Sequence, residues 1–127
     1  MKRLMSTLLI FTLLLTGCSK GKPKNMPQDV YDQGVRLANV IDNYYGGTAT
    51  LDDIDEMSDE VFDALQIGYD NRTSDEKFQI IKITGILTDI GLAMTDMYLS
   101  IATQDGKDEG SKKLRQAQKD LKKALGM

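Results

Sequence analysis

Ile80, Ile83, Leu87, Ile90, Met94, Met97 and Ile101 recur at steps of three and four residues without a break. That spacing keeps one face of an α-helix turned toward a partner through every turn, so it predicts a long helix with a continuous apolar seam. Ile81, Leu92 and Leu99 add a second stripe on another side, while Lys82, Asp89 and Asp96 fall seven apart on one narrow line facing water. A helix apolar over most of its circumference is expected at the centre of a bundle. The positions beside the seam, Thr84, Ile86, Gly91, Ala93, Tyr98 and Ser100, carry no charge. A free-standing two-stranded coiled coil would carry Glu or Lys there, which favours packing within the chain over a homo-oligomer along the 80–101 seam. Lys82, Asp89 and Asp96 also argue against a membrane span, each costing about 3 kcal/mol at a bilayer centre.

The rest of the chain from Pro27 onward is punctuated as helices too. Pro27 suits a first turn, Asp29 complements the positive end of the helix dipole, and Gly46-Gly47 stops a helix predicted over 27–45. Val30, Leu37, Ile41 and Tyr44 form its stripe, with Gly34 in the gap. Thr50 is the predicted cap of a second helix over 51–67, with Asp52 and Asp53 in its first turn and Ile54, Met57, Val61 and Leu65 on its apolar side. Thr73 and Glu76 have the spacing of a capping box ahead of the long helix. After a break at Gln104 to Gly106, a fourth helix is predicted over 108–125. Its stripe is Leu114, Ala117, Leu121 and Ala124, and Asp108–Lys112 and Glu109–Lys113 make acid-before-base pairs. No stretch alternates apolar and polar residues as a strand would. The fold class read from the sequence is therefore all-α, a small four-helix bundle over 27–127.

Composition narrows the chemistry. There is no His and one Cys in 127 residues, so the commonest metal ligand and general base is missing and no intramolecular disulfide can form. A net charge of −3 gives no basis for nucleic-acid binding.

The N-terminus has its own logic. Met1-Lys2-Arg3 is a positive start and Leu4 to Leu15 an apolar run too short to span a bilayer, which reads as a secretory signal peptide. Leu15-Thr16-Gly17-Cys18 at its end resembles the lipobox of bacterial lipoprotein precursors. The resemblance covers residues 1–18 and implies that a diacylglyceryl group is added to Cys18, that residues 1–17 are removed, and that the body stays outside the cytoplasm at a membrane. In a cell with two membranes, Ser19 after Cys18 fits the outer-membrane pattern better than Asp would. Two or three acyl chains hold a protein at a bilayer, at about 0.8 kcal/mol per buried methylene. Removing Lys2 and Arg3 from the 16 basic side chains leaves 14 against 19 acidic ones, a net side-chain charge of −5. Residues 18–26, with Lys20, Lys22 and Lys24, are expected to be the lipidated Cys and a polar tether.

Candidates for further chemistry are few. Asp52, Glu56, Asp59 and Asp63 form an acidic row on the second helix, and Lys112, Lys113, Arg115, Lys119, Lys122 and Lys123 a basic set on the fourth. The loops Asp105-Gly106-Lys107-Asp108-Glu109-Gly110 and Asp70-Asn71 both fall short of the spacing of a calcium site and the acidic row reads as a solvated face, so no metal or cofactor is expected. The simplest expectation is that the basic helix packs beside the acidic one. A nucleophilic serine needs an adjacent base, but Ser58, Ser74, Ser100 and Ser111 all occupy positions readable as caps or small packing residues, and a small bundle offers little cleft for paired carboxylates, so no catalytic residue is assigned. Tyr44 and Tyr45, beside Gly46-Gly47 at one end of the bundle, are the candidate partner contacts. Together these readings describe a lipid-anchored, extracytoplasmic, non-catalytic module that binds a protein partner. An exclusion or immunity lipoprotein of a phage or mobile element, or a structural envelope lipoprotein, is the alternative.

Overall fold

The computed structural model describes residues 21–99 and 104–127. Leu15, Thr16, Gly17 and Cys18, with the rest of the leader, and Ile101 at the end of the seam lie outside the described residues. Among the described residues there are four α-helices and no strand: α1 (Gln28–Tyr45), α2 (Leu51–Gln66), α3 (Ser74–Leu99) and α4 (Gln104–Ala124), with one 3₁₀ turn at Tyr69–Asn71 before α3. The all-α four-helix bundle expected from the apolar periodicities is the fold observed.

Local chemistry accounts for the helix ends. Pro27 precedes α1 as its N-cap, one position earlier than a first-turn residue. At the other end the Gly46 N–H donates to the Asp42 carbonyl (2.9 Å) and the Thr48 N–H to the Asn43 carbonyl (2.9 Å), with Gly47 in the left-handed region at φ 84°. Thr50 does more than cap α2. Its Oγ1 accepts from the Asp53 N–H (3.2 Å) while its own N–H donates to Asp53 Oδ2 (2.8 Å), a reciprocal box. Thr73 and Glu76 do the same for α3, at 3.2 and 3.3 Å. A cap of this kind stabilises a helix by about 1 kcal/mol. The predicted break at Gln104 to Gly106 does not occur, because α4 already includes these residues. Gly106 lowers helix propensity by about 1 kcal/mol, too little to end a helix whose Asp105 complements the dipole and whose next turns pack on α3.

The helices form an antiparallel ring in chain order. The α1–α2 and α3–α4 interfaces are extensive, and α2–α3 and α1–α4 close the ring more loosely. Cross-links fix the directions: Arg36 with Glu60 (3.7 Å), Tyr98 with Asp52 (2.7 Å), Lys113 with Asp96 (2.7 Å) and Lys122 with Asp42 (2.9 Å). In such a ring α2 and α4 lie on a diagonal. The acidic helix therefore does not pack beside the basic one, contrary to expectation. The partners of α4 are Asp42 of α1 and Asp96 of α3.

Leu37, Ile41, Ile54, Val61, Ile83, Ile90, Leu114, Leu121 and Leu125 form the buried core. Two glycines let helices approach closely. A Cβ on Gly110 would stand 2.5 Å from Met97 Cγ and 3.1 Å from the Ala93 carbonyl oxygen, and one on Gly34 would stand 2.9 Å from Leu125 Cδ2. The Gly34 gap in the α1 stripe is thus the seat of Leu125. Gln118, the one buried polar side chain among the described residues, donates to the Ala38 carbonyl (3.2 Å) and to Asp42 Oδ1 (2.6 Å), tying α4 to α1.

Candidate functional site

The inner face of α3 follows the predicted seam: Ile80, Ile83, Ile90, Met94 and Met97 are buried, and Leu87 is packed against them. The chain's own bundle therefore takes up the side chains that a homo-oligomer along the 80–101 seam would need. The second stripe behaves differently. Ile81 is 60% exposed, Leu92 60% and Leu99 78%, so α3 is not a central helix surrounded by others. Two antiparallel neighbours cover only part of its circumference.

That outer face is longer than the three residues suggest. Phe78, Ile81, Gly85, Thr88, Leu92, Thr95 and Leu99 are all exposed and repeat the seam's alternation of three and four. Gly85, Thr88 and Thr95 hide the repeat from a reading based on hydrophobicity alone, although the spacing itself was available in the sequence. On the α2 side the face opens into a groove of about 670 Å³ lined by Phe62, Leu65, Tyr69, Ile81, Gly85 and Thr88. On the α4 side a smaller one of about 330 Å³ holds Leu92 with Asp89, Lys113, Gln116 and Asp120. Of the predicted charge line, Asp96 is held by Lys113, and that contact raises the lysine's pKa. Lys82 and Asp89 are exposed with no ion-pair partner among the described residues. Among the described residues α3 alone is long and apolar enough to cross a membrane, by length and composition only, and its inner half is built into the core.

Tyr44 and Tyr45 lie at the end of α1, edge to face with ring centres 5.2 Å apart. Tyr45 is half-buried and committed to the bundle: its hydroxyl donates to the Ser111 carbonyl (2.7 Å) and the Arg115 guanidinium stacks 3.9 Å from its ring centre. Burial raises its pKa. Tyr44 is also half-buried and lines a cavity of about 610 Å³ with Leu51, Asp52, Met97 and Tyr98. The hydrogen bond to Asp52 pushes the Tyr98 hydroxyl up to about 12. This end therefore offers one partly open tyrosine rather than a pair of free rings.

The chain enters the bundle at the opposite end. Met26 is buried in the core, and Gly21 lies beside Gly126 after the last turn of α4. At the same end Arg72 joins the starts of two helices, reaching Asp29 of α1 at 3.3 Å and Glu76 of α3 at 3.4 Å. The 18 residues of α1 separate the two ends by about 27 Å, at ~1.5 Å per residue.

Reactive groups do not converge. Among the described residues no three carboxylates, cysteines or histidines come together as metal ligands. Asp52 leaves the acidic row to accept from Tyr98, while Glu56, Asp59 and Asp63 are exposed along α2. No protein-family description, curated protein or solved structure matches this chain. What the geometry contains is a surface suited to contact.

Proposed function

We propose that the protein is an extracytoplasmic lipoprotein, anchored through acyl chains on Cys18, that acts as a non-catalytic protein-binding module through the outer face of α3. One observation carries this reading: an uncharged face running from Phe78 to Leu99, bordered by two grooves, is left open by the bundle. Contiguous exposed apolar surface on a small soluble domain marks an interaction site. The lipobox supports the anchor. The entry of the chain beside the C-terminal end of α4 supports an arrangement in which that end faces the membrane and the length of α3 stays accessible.

Two measurements test it together. Mass analysis of the native N-terminus should find an acylated Cys18, and Cys18→Ala should move the protein out of the membrane fraction. A photo-activatable amino acid at position 92, in the full chain in its own cells, should join α3 to protein upon illumination. A bare thiol at Cys18 overturns the anchor. Crosslinks to lipid alone overturn the protein-binding face.

A further inference from the structure

Resting on that reading of the α3 face, we infer that its partner is a second copy of this chain, paired antiparallel along α3 about a two-fold axis near residue 86. The first ground is the spacing. Phe78, Ile81, Gly85, Thr88, Leu92, Thr95 and Leu99 alternate steps of three and four over six intervals, the repeat that lets two helices meet along their full length. Scattered exposed apolar residues would not keep it. At about 1.5 Å per residue the seam is ~32 Å long.

The second ground is charge. Lys82 and Asp89 flank the seam on the same side, one heptad apart, opposite in sign, and neither has an ion-pair partner among the described residues. In an antiparallel pair these flanking positions face their counterparts on the other helix. Lys82 of each copy then meets Asp89 of the other, forming two symmetric ion pairs. Asp75 comes level with Asp96, whose carboxylate Lys113 already holds. A parallel pair would bring Lys82 against Lys77 of the other copy, two like charges, and leave Asp89 opposite Thr84. Charge therefore selects the antiparallel arrangement and sets its register.

The third ground is size. In that register Phe78 lies opposite Thr95, Ile81 opposite Leu92 and Gly85 opposite Thr88. Large residues thus face small ones at the two outer layers, and the smallest pair sits beside the axis. A Cβ on Gly85 meets nothing within 4 Å in the free chain, so the second helix has room to approach there. Phe62, 47% exposed in the groove next to Ile81 and Gly85, widens the contact beyond α3. Confinement of copies to one bilayer by the proposed anchor raises their effective concentration and favours the pairing.

The test uses the full chain in the membranes of cells that produce it. Two differently tagged forms, Ile81→Cys and Leu92→Cys, are made together and oxidised, with the unaltered chain as the blank. The inference expects a mixed-tag disulfide product at least tenfold above either form alone, because residue 81 lies about 16 Å along the axis from its own counterpart. Lys82→Asp should reduce the mixed product several-fold, and adding Asp89→Lys should restore it. A product joining 81 to 81 instead means parallel pairing and overturns the inference. So does the absence of any product, or indifference to the charge exchange. Should the photo-probe at position 92 capture a different protein while no mixed product forms, self-pairing fails and the binding face stands. Capture of lipid alone sinks both. Unchanged far-ultraviolet circular dichroism of the cysteine forms shows that the bundle persists, as expected at positions already 60% exposed.

Discussion

The two faces of α3 share one spacing and have opposite fates. Ile83 and Ile90 on the inner face are fully buried, whereas Ile81 and Leu92 on the outer face are more than half exposed. Both rows repeat at three and four, so periodicity says that each row can meet a helix and not which helix it meets. The rows differ in what stands opposite. Inside, α4 approaches so closely that Gly110 has no room for a Cβ, and α1 and α2 supply Leu37, Ile41 and Ile54. Outside, among the described residues, α2 and α4 border the row in two grooves without covering it. A bundle of four helices in a ring covers one side of each, and an apolar row on the far side is left for something else.

Substitution can break this contrast directly. Ile83→Ala should destabilise the fold by about 2–5 kcal/mol, since it removes three buried heavy atoms and leaves a cavity. Leu92→Ala should cost under ~0.5 kcal/mol in the monomer, as surface changes away from packed features do. Urea denaturation of the two variants checks the difference, and equal losses would mean that the outer row is buried in solution.

The two glycines of the α3–α4 region sharpen it. Gly110→Ala should destabilise by about 1–3 kcal/mol, because the new methyl meets Met97 and the Ala93 carbonyl oxygen and the helices must separate. Gly85→Ala, on the open side of α3, should stabilise by about 0.5–1 kcal/mol through helix propensity alone. Opposite shifts in melting temperature are the expected readout.

The smallest effect concerns charge. The hydrogen bond from Lys122 is the main effect holding the Asp42 carboxyl below its ordinary pKa; burial opposes it, and the hydrogen bond from Gln118 adds to the lowering. A depressed folded-state pKa contributes stability above the unfolded value of about 3.8 and loses it as pH falls through the lower folded value. Asp42→Asn should therefore cost about 0.5–1 kcal/mol at pH 7 and little at pH 2. Melting curves of Asp42→Asn and of the unaltered chain between pH 2 and 7 check this.

Much of this fold was legible in advance. Thr50, Thr73 with Glu76, and Gly46-Gly47 carry their turn and cap chemistry within four or five residues, so their roles could be read from a short window. The inner seam was legible because large apolar residues occupy every step. The outer row was not, since Gly85, Thr88 and Thr95 weaken its hydrophobic signal and exposure depends on neighbours distant in sequence. The same limit explains the error over acidic α2 and basic α4: complementary charge suggested adjacency, but short connections between successive helices placed them on a diagonal. At the Tyr44–Tyr45 end the sequence located the rings, while only the fold tied Tyr45 to Ser111 and Arg115 and left Tyr44 partly open.

From sequence alone came the helices, their caps, the inner seam and a lipobox-like start, because each depends on residues a few positions apart. The tertiary structure decided which apolar row is covered, which charges pair, and that Gly21 and Met26 lie at the opposite pole from the Tyr44 end. Those properties arise when segments as far apart as Asp42 and Lys122 meet, and no local rule contains that distance.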